Sequence, residues 1–114
     1  MQVSIFIKLI MKEKDCVFCN IGSDKIILKN EKAYAIPDKY PHSKGHLLII
    51  PFDHAEDFFE LSKEDRDSII GLLCEAKKFT DEKYKPAAYN VVINNGKSAG
   101  QVISHTHIHL IPRY

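Results

Sequence analysis

Three histidines at alternate positions near the carboxyl end constrain this chain more than any other feature. His105, His107 and His109 alternate with threonine and isoleucine, and Pro112 closes the segment. β-Branched residues and a terminal proline favour a strand, in which every second side chain points to the same face. The pattern therefore predicts a last long strand over residues 102–112 with three imidazoles on one face, about 7 Å apart.

A single amphipathic helix is predicted upstream of this strand. Ser62 followed by Asp65 resembles a capping box, and Pro86 ends the helical pattern. Between them, apolar residues recur at helical spacing and form one stripe. The stripe consists of Ile69, Leu72, Leu73, Ala76 and Phe79. It fits packing on the chain's own sheet and also fits contact with a second copy, whereas Cys74 beside it is expected in the core.

Short apolar segments on both sides of the helix predict the other strands. They cover residues 26–29, 32–36, 46–50 and 89–93, and residues 16–21 are spaced for one helical turn. The order of strands, one principal helix and further strands favours an α+β fold with an antiparallel sheet of about five strands. We predict a single domain over residues 16–114, with residues 1–15 forming an N-terminal extension or an edge strand.

Length and charge exclude several classes of protein. A chain of 114 residues has room for one domain. With 16 basic and 15 acidic side chains and a net charge of +1, it lacks the basic surface that grips a nucleic-acid polymer or an anionic membrane. The apolar residues 3–11 are too few to span a bilayer, which takes about 20, and they lack the features of a signal peptide. We expect a cytoplasmic protein.

Three cysteines, an odd number, do not indicate the disulfide framework of a secreted domain. Cys16 and Cys19 form a C-x-x-C pair, which is typical of either a metal clip or a redox couple.

The three alternating histidines allow three interpretations of their own. They are solvent-facing side chains, a metal cradle, or a nucleophilic imidazole oriented by its neighbours.

At this point the sequence resembles a known family. The segment His105-Thr106-His107-Ile108-His109-Leu110-Ile111 fits the His-x-His-x-His-x-x signature of the histidine triad proteins, in which x is hydrophobic. The wider match comprises Cys16-Val17-Phe18-Cys19-Asn20-Ile21, Asp38, Gly45-His46, Pro51, His54, Asn94, Gly100-Gln101 and Ile111-Pro112-Arg113-Tyr114. The resemblance covers about residues 16–114. These proteins are nucleotide hydrolases and nucleotidyl transferases that act at the α-phosphorus.

The resemblance implies catalytic roles for four residues. His107 is expected to be the nucleophile that forms a transient nucleotidyl-histidine. His109 and Gln101 are expected to contact the phosphate, and His46 matches a histidine that hydrogen-bonds behind the triad. Val102 departs from the family, since many relatives carry serine or threonine there.

The resemblance also implies how a nucleotide is bound. Asp38 is expected to accept the ribose hydroxyls, because a carboxylate takes two hydrogen bonds at once, and Asn94 is expected to line the phosphate side. The base would lie in an apolar slot, for which ordinary core is the alternative. The slot residues are Val17, Phe18, Ile21 and Ile36.

A second set of residues matches the zinc ligands of some bacterial members. The set is Cys16, Cys19, His54 and His105. Two thiolates and two imidazoles suit a closed, tetrahedral and therefore structural Zn²⁺. Many relatives lack the cysteines, so the chemistry does not need the metal. Relatives are also usually homodimers.

The expected function is hydrolysis at the α-phosphate of a purine nucleotide conjugate: a phosphoramidate, an adenylate or a dinucleoside polyphosphate. The alternative is a nucleotide-binding or signalling module whose catalysis is vestigial. A zinc-dependent interaction protein without chemistry is a third interpretation.

Overall fold

The computed structural model describes residues 14–114, and within them one sheet packs against one long helix. The strands are β1 (Leu28–Lys29), β2 (Ala33–Pro37), β3 (Leu47–Pro51), β4 (Ala88–Ile93) and β5 (Ile108–Arg113), and the helix is α1 (Lys63–Tyr84). All strand pairs are antiparallel, in the order β1-β2-β3-β5-β4. The last strand therefore inserts between β3 and β4, and the predicted α+β class is confirmed.

Helix α1 has the limits and the buried face that its sequence predicts. The hydroxyl of Ser62 accepts from the amide of Asp65 at 3.1 Å, and Lys85 ends the helix in a left-handed conformation before Pro86. The apolar stripe packs on the chain's own sheet. Cys74 is exposed rather than in the core. It follows Leu73 of the stripe, and one residue of helix rotates its side chain by a further angle of about 100°, away from the sheet.

The other face of the sheet carries a second apolar cluster. It is formed by Phe18, Tyr34, Ile36, Leu48 and Ile50. Leu48 pairs with both Ile36 on β2 and His109 on β5. Since directly paired residues share a face, His109 lies on the face of this cluster, opposite the helix.

The last strand is shorter than predicted, because it begins at Ile108 and not at residue 102. The amide of Thr106 donates to the carbonyl of Ala55 at 2.7 Å, and that of His105 donates to the carbonyl of Ile103 at 2.8 Å. These bonds turn residues 103–106 across the loop after β3 instead of pairing them with a strand. The prediction of three histidines in one strand is therefore wrong for the first two, which precede β5.

The remaining boundaries differ by small amounts. Strand β1 covers only Leu28–Lys29 of the predicted residues 26–29. A turn at Asn30 joins β1 to β2, and Oδ1 of Asn30 accepts from the amides of Lys32 and Ala33. The predicted helical turn at residues 16–21 is a single reverse turn, closed by the amide of Asn20 and the carbonyl of Val17 at 3.2 Å.

The N-terminal extension or edge strand predicted for residues 1–15 lies outside the described residues, apart from its last two positions. The single domain over residues 16–114 stays a prediction, as does the cytoplasmic location. Within residues 14–114, no helix combines the length and the hydropathy needed to cross a bilayer.

Candidate active site and metal centre

Four cysteine and histidine side chains converge beside the start of β5. The Sγ atoms of Cys16 and Cys19 and one ring nitrogen each of His54 and His105 all lie within 4.8 Å of one another. Nδ1 of His105 is 3.3 Å from Sγ of Cys16 and 3.5 Å from Sγ of Cys19. Nδ1 of His54 is 3.4 Å from Sγ of Cys19. The structure thus brings together all four residues that the sequence suggested as metal ligands.

Each part of this cluster is held by its own backbone contacts. The side chain amide of Asn20 donates to the carbonyl of Cys16 at 2.7 Å, which closes the turn that carries both sulfurs. Tyr34 donates from its hydroxyl to the carbonyl of Phe18 between them. On the other side, Nε2 of His105 donates to the carbonyl of Pro51 at 2.8 Å. A histidine protonated on Nε2 presents the lone pair of Nδ1 to the sulfurs.

The spacing of these atoms fits a tetrahedral zinc ion. Zn–S bonds of about 2.3 Å and Zn–N bonds of about 2.0–2.1 Å place adjacent sulfur and nitrogen ligands about 3.6 Å apart. The three distances in the cluster, 3.3, 3.4 and 3.5 Å, are close to that value. The bond from His105 to Pro51 is the outer-shell contact that zinc-binding histidines commonly make.

His107 lies next to this cluster, and one of its two ring nitrogens is hydrogen-bonded to the backbone. Its Nδ1 donates to the carbonyl of His105 at 2.7 Å, and its ring meets the edge of Phe18 at 5.1 Å between centroids. Burial lowers the pKa of His107, and it outweighs the opposing effects of the His105 carbonyl and Asp38. The ring is therefore neutral near pH 7, and its proton lies on Nδ1. The lone pair of Nε2 is left for nucleophilic attack.

The protonation of His46 is fixed by a backbone amide. The N–H of His42 donates to Nδ1 of His46 at 3.1 Å, so this nitrogen carries no proton. Burial lowers the pKa of His46, so the neutral ring carries its single proton on Nε2. That atom lies 3.0 Å from Nδ1 of His109 and 3.2 Å from Oδ2 of Asp38.

Asp38, His46 and His109 also bring three potential metal-ligand atoms within 4.8 Å. Coordination through Nε2 of a neutral His46 would move its proton to Nδ1. That proton would then face the donating amide of His42. The hydrogen bonds therefore favour a proton-sharing network at this cluster over a metal site.

Asp38 and His109 complete the polar side of the site. Asp38 follows the end of β2, and its Oδ1 accepts from the amide of Tyr40 at 2.9 Å. Its carboxylate lies 3.7 Å from Nδ1 of His109. Burial, followed by the neighbouring His107 and His46, lowers the pKa of His109 to about 4. The His109 ring is therefore neutral near pH 7.

Two residues expected near the phosphate, Gln101 and Asn94, lie in the loop after β4. The amide of Gln101 accepts from the N–H of Gly96 at 2.7 Å and donates to the carbonyls of Glu56 and Ile103 at 2.7 and 3.0 Å. Gln101 therefore ties the loop after β4 to its surroundings. Asn94 follows β4 directly and is half-buried.

The expected slot residues divide into two groups. Phe18, Ile36 and Ile21 belong to the apolar cluster on the histidine face. Val17 is 53% exposed and lines a cavity of about 440 Å³ together with Cys16 and His54. The structure thus separates Val17 from the three residues with which it was grouped.

Some contributors to the site could not be found from side-chain chemistry. His42 acts through its backbone amide, and Pro51 acts through its carbonyl. Gly45 has a left-handed backbone conformation. Its φ of +88° disfavours any other residue, and an added Cβ would lie 2.7 Å from the ring of Tyr84. The glycine therefore lets the loop that carries His42 pass close to α1.

Comparisons with known proteins identify the family and the fold. The HIT domain family matches residues 22–114. An adenosine 5'-monophosphoramidase of Schizosaccharomyces pombe is 39% identical over 102 residues, which cover 86% of this chain and 74% of that protein. The solved structure of a HIT family protein from Bacillus anthracis superposes with a TM-score of 0.83 at 33% identity, covering 90% of this chain and 76% of that one.

A zinc-bound relative also appears among the solved structures. The Zn-bound histidine triad family protein of Mycobacterium smegmatis superposes with a TM-score of 0.74 at 30% identity, covering 88% of this chain and 76% of that one. The chain described here belongs to the HIT family of histidine triad proteins. The prediction of a HIT-type enzyme is confirmed at the level of the family, in which the Schizosaccharomyces pombe relative is named as a phosphoramidase.

Proposed function

We propose that this protein hydrolyses purine nucleotide conjugates at the α-phosphate, with His107 as the nucleophile. The observation that carries the proposal is the 2.7 Å bond from Nδ1 of His107 to the carbonyl of His105. This bond holds the neutral, buried imidazole of His107 in the tautomer whose Nε2 carries no proton.

The reaction would proceed in two displacements. Nε2 of His107 attacks the α-phosphorus, a P–N bond forms, and the bond from phosphorus to the leaving group breaks while the leaving group takes up a proton. Water then attacks the same phosphorus, the P–N bond breaks, and the nucleoside monophosphate leaves. Two smaller barriers replace one large barrier. His109 would donate to a phosphoryl oxygen, where charge stabilisation contributes most.

The substrate would lie across the histidine face of the sheet. Asp38, at the end of β2, has the carboxylate that would accept ribose hydroxyls, and the apolar cluster around Phe18 and Ile36 would pack against the base. Gln101 would support the loop beside the phosphate in its present contacts, or reach the phosphate after that loop rearranges.

We further propose that the cluster around His105 binds one structural zinc ion. The ligands would be Cys16, Cys19, His54 and His105, which fill a tetrahedral shell without an open position for substrate. The S···N distances of 3.3–3.5 Å and the outer-shell bond to Pro51 support this assignment. When bound, the ion would supply rigidity rather than Lewis acidity.

The substrate class is best tested with a panel of conjugates. Adenosine phosphoramidate heads the panel because of the Schizosaccharomyces pombe relative, and aminoacyl adenylates and dinucleoside polyphosphates complete it. We expect turnover of at least one of them and a nucleotidyl adduct on His107 in rapidly quenched samples. His107→Ala should abolish the adduct and turnover and still bind AMP, whereas Cys74→Ser, an exposed position, should behave as wild type.

The alternative outcomes separate the candidate functions. Wild-type protein that binds AMP and turns over none of the conjugates would support a nucleotide-binding module instead. Turnover by His107→Ala would contradict the nucleophile. A protein that binds zinc and no nucleotide would favour the interaction protein.

We also propose a homodimer formed by β4 and the adjoining face of α1. Strand β4 lies at one edge of the sheet, and its Val91 is 53% exposed. The hydroxyl of Tyr89 on the same strand donates to Asp81 of α1, and the helix presents Ile70 with 43% of its area exposed. Val91→Glu should give a monomer in sedimentation analysis. Val102→Glu, at an exposed valine outside this surface, should leave the dimer intact.

A further inference from the structure

One proton in the candidate active site has two competing acceptors. The amide of His42 holds Nδ1 of His46 unprotonated, so the single proton of His46 lies on Nε2. From there it reaches Nδ1 of His109 at 3.0 Å and Oδ2 of Asp38 at 3.2 Å. The contact with His109 has hydrogen-bond geometry, whereas the Asp38 carboxylate lies at ion-pair distance from the same N–H group and competes with His109 for it electrostatically.

The outcome of this competition decides how His109 is protonated. A neutral imidazole has one donor and one acceptor nitrogen. If Nδ1 of His109 accepts the proton of His46, the His109 proton must lie on Nε2, from which it can be donated to a phosphoryl oxygen. If Asp38 takes most of the bond, Nδ1 of His109 is poorly satisfied and the opposite tautomer becomes accessible.

We propose that Asp38 is a positioning residue through which the ribose hydroxyls of the substrate set the tautomer of His109. When both hydroxyls donate to the Asp38 carboxylate, its oxygens become weaker acceptors for His46. The Nε2–H of His46 then turns wholly to His109, whose own proton is fixed on Nε2. This inference rests on the proposed function, since it takes Asp38 to be the ribose acceptor and His109 to be the phosphate donor.

The surrounding contacts give the network the stiffness that such coupling needs. His46 is 1% exposed, and its ring is held from behind by the amide of His42. Oδ1 of Asp38 accepts from the amide of Tyr40 at 2.9 Å, and Oδ2 is the oxygen that faces Nε2 of His46 at 3.2 Å. His109 is paired in register with Leu48 on β3, so its backbone cannot follow the side chains.

The coupling predicts that the ribose acts on catalysis as well as on affinity. Removal of the 2′ and 3′ hydroxyls should lower kcat by about tenfold or more, because a correctly placed proton donor contributes on the order of a hundredfold or more. In Asp38→Asn, kcat should be reduced for the ribose substrate and should be nearly equal for ribose and dideoxyribose substrates. Asp67→Asn, the same change on an exposed ion pair of α1, should keep the wild-type difference.

The tautomer itself can be measured by ¹⁵N NMR of the histidine rings. In the free protein His46 should be protonated on Nε2 only. AMP should move His109 further toward the Nε2–H form, and 2′,3′-dideoxy-AMP should not. Equal responses to the two nucleotides, or a proton on Nδ1 of His46, would overturn the coupling.

In the kinetic experiment, an unchanged kcat with a raised KM for the dideoxy substrate would contradict the coupling. Failure of the proposed function looks different from failure of the coupling. A protein that shows the AMP-dependent change at His109 and hydrolyses no conjugate would overturn the hydrolase function and leave the coupling intact.

Discussion

His107 donates from Nδ1 to the carbonyl oxygen of His105 at 2.7 Å, so the candidate nucleophile is oriented by the backbone of a candidate zinc ligand. The ring of His105 is itself held between Pro51 and the cysteine sulfurs. His105 thus connects the candidate metal centre to His107, because its ring belongs to the cluster and its carbonyl orients the imidazole of His107. We expect the chemistry itself not to need the metal, yet loss of the metal should affect the active site by this route.

Cys19→Ser should therefore remove the zinc and reduce activity together. A structural zinc site contributes several kcal/mol to folding, so we expect a fall of about 10 °C in the melting temperature. Metal analysis should give close to one equivalent in wild type and much less than half in the variant. Cys74→Ser is the matched control, because this cysteine is exposed and outside the cluster.

The zinc assignment has a clear contrary result. If wild-type protein purified without chelators holds no zinc and takes up none on addition, the four side chains form a hydrogen-bonded cluster only. An unchanged metal content in Cys19→Ser would equally exclude that thiolate as a ligand.

Stability should fall as the pH falls below about 6.5. Burial lowers the pKa of His46 and His107, and that of His109 falls to about 4. Between that value and the usual 6.5 the unfolded chain binds protons that the folded chain does not, so stability rises with pH across this window. From pH 6.5 to pH 5, His109 alone should cost about 1–2 kcal/mol of the free energy of unfolding.

Urea unfolding at a series of pH values measures this dependence. His109→Gln removes one of the titrating groups, so its stability should depend less steeply on pH between 4 and 6.5. Protonation of the zinc ligands acts in the same direction in both proteins and cancels in their difference. Identical pH profiles for wild type and variant would show that His109 does not titrate as described.

Truncation of the helix stripe should be costly at its centre. Ile69 is fully buried between α1 and the sheet, so Ile69→Ala should lower the free energy of unfolding by about 3–4 kcal/mol. Ile27→Ala makes the same change where 38% of the side chain is exposed, and it should cost less than about 1 kcal/mol. Equal losses in denaturant unfolding would contradict the assigned packing.

Alanine should have opposite effects at two glycines. Gly45→Ala places a Cβ 2.7 Å from the ring of Tyr84 at a φ of +88°, so it should destabilise by about 2 kcal/mol or more and disturb the adjacent His46. Gly71→Ala lies in α1 with no atom within 4 Å of its added Cβ and should stabilise by about 0.5–1 kcal/mol. Melting temperatures of the two variants would show whether the signs differ.

Local signals predicted the parts of the fold that depend on neighbouring residues. The cap at Ser62 and the stop at Pro86 bound α1 correctly because both act within one turn of helix. The alternating histidines predicted a strand from residue 102, whereas residues 103–106 turn instead. That turn depends on a bond from Thr106 to Ala55, 51 positions earlier, which no local pattern contains.

The same distinction holds for the candidate site. The four metal-centre residues were identified by their chemistry and their order along the chain, and the structure brings them together. The contributions of His42 and Pro51 were missed because both act through the backbone. Gln101 was expected at the phosphate from its family position, and that role stays a prediction; in the structure its amide holds the loop after β4.

The insertion of β5 between β3 and β4 has a consequence for how the protein acquires activity. Leu48 and His109 become neighbours only when the end of the chain crosses back past α1 and fills the gap in the sheet. His109 therefore joins Asp38 and His46 only after β5 has paired with β3. During refolding, the recovery of turnover would report completion of the sheet. It would be slower than the recovery of the circular dichroism signal of the helix.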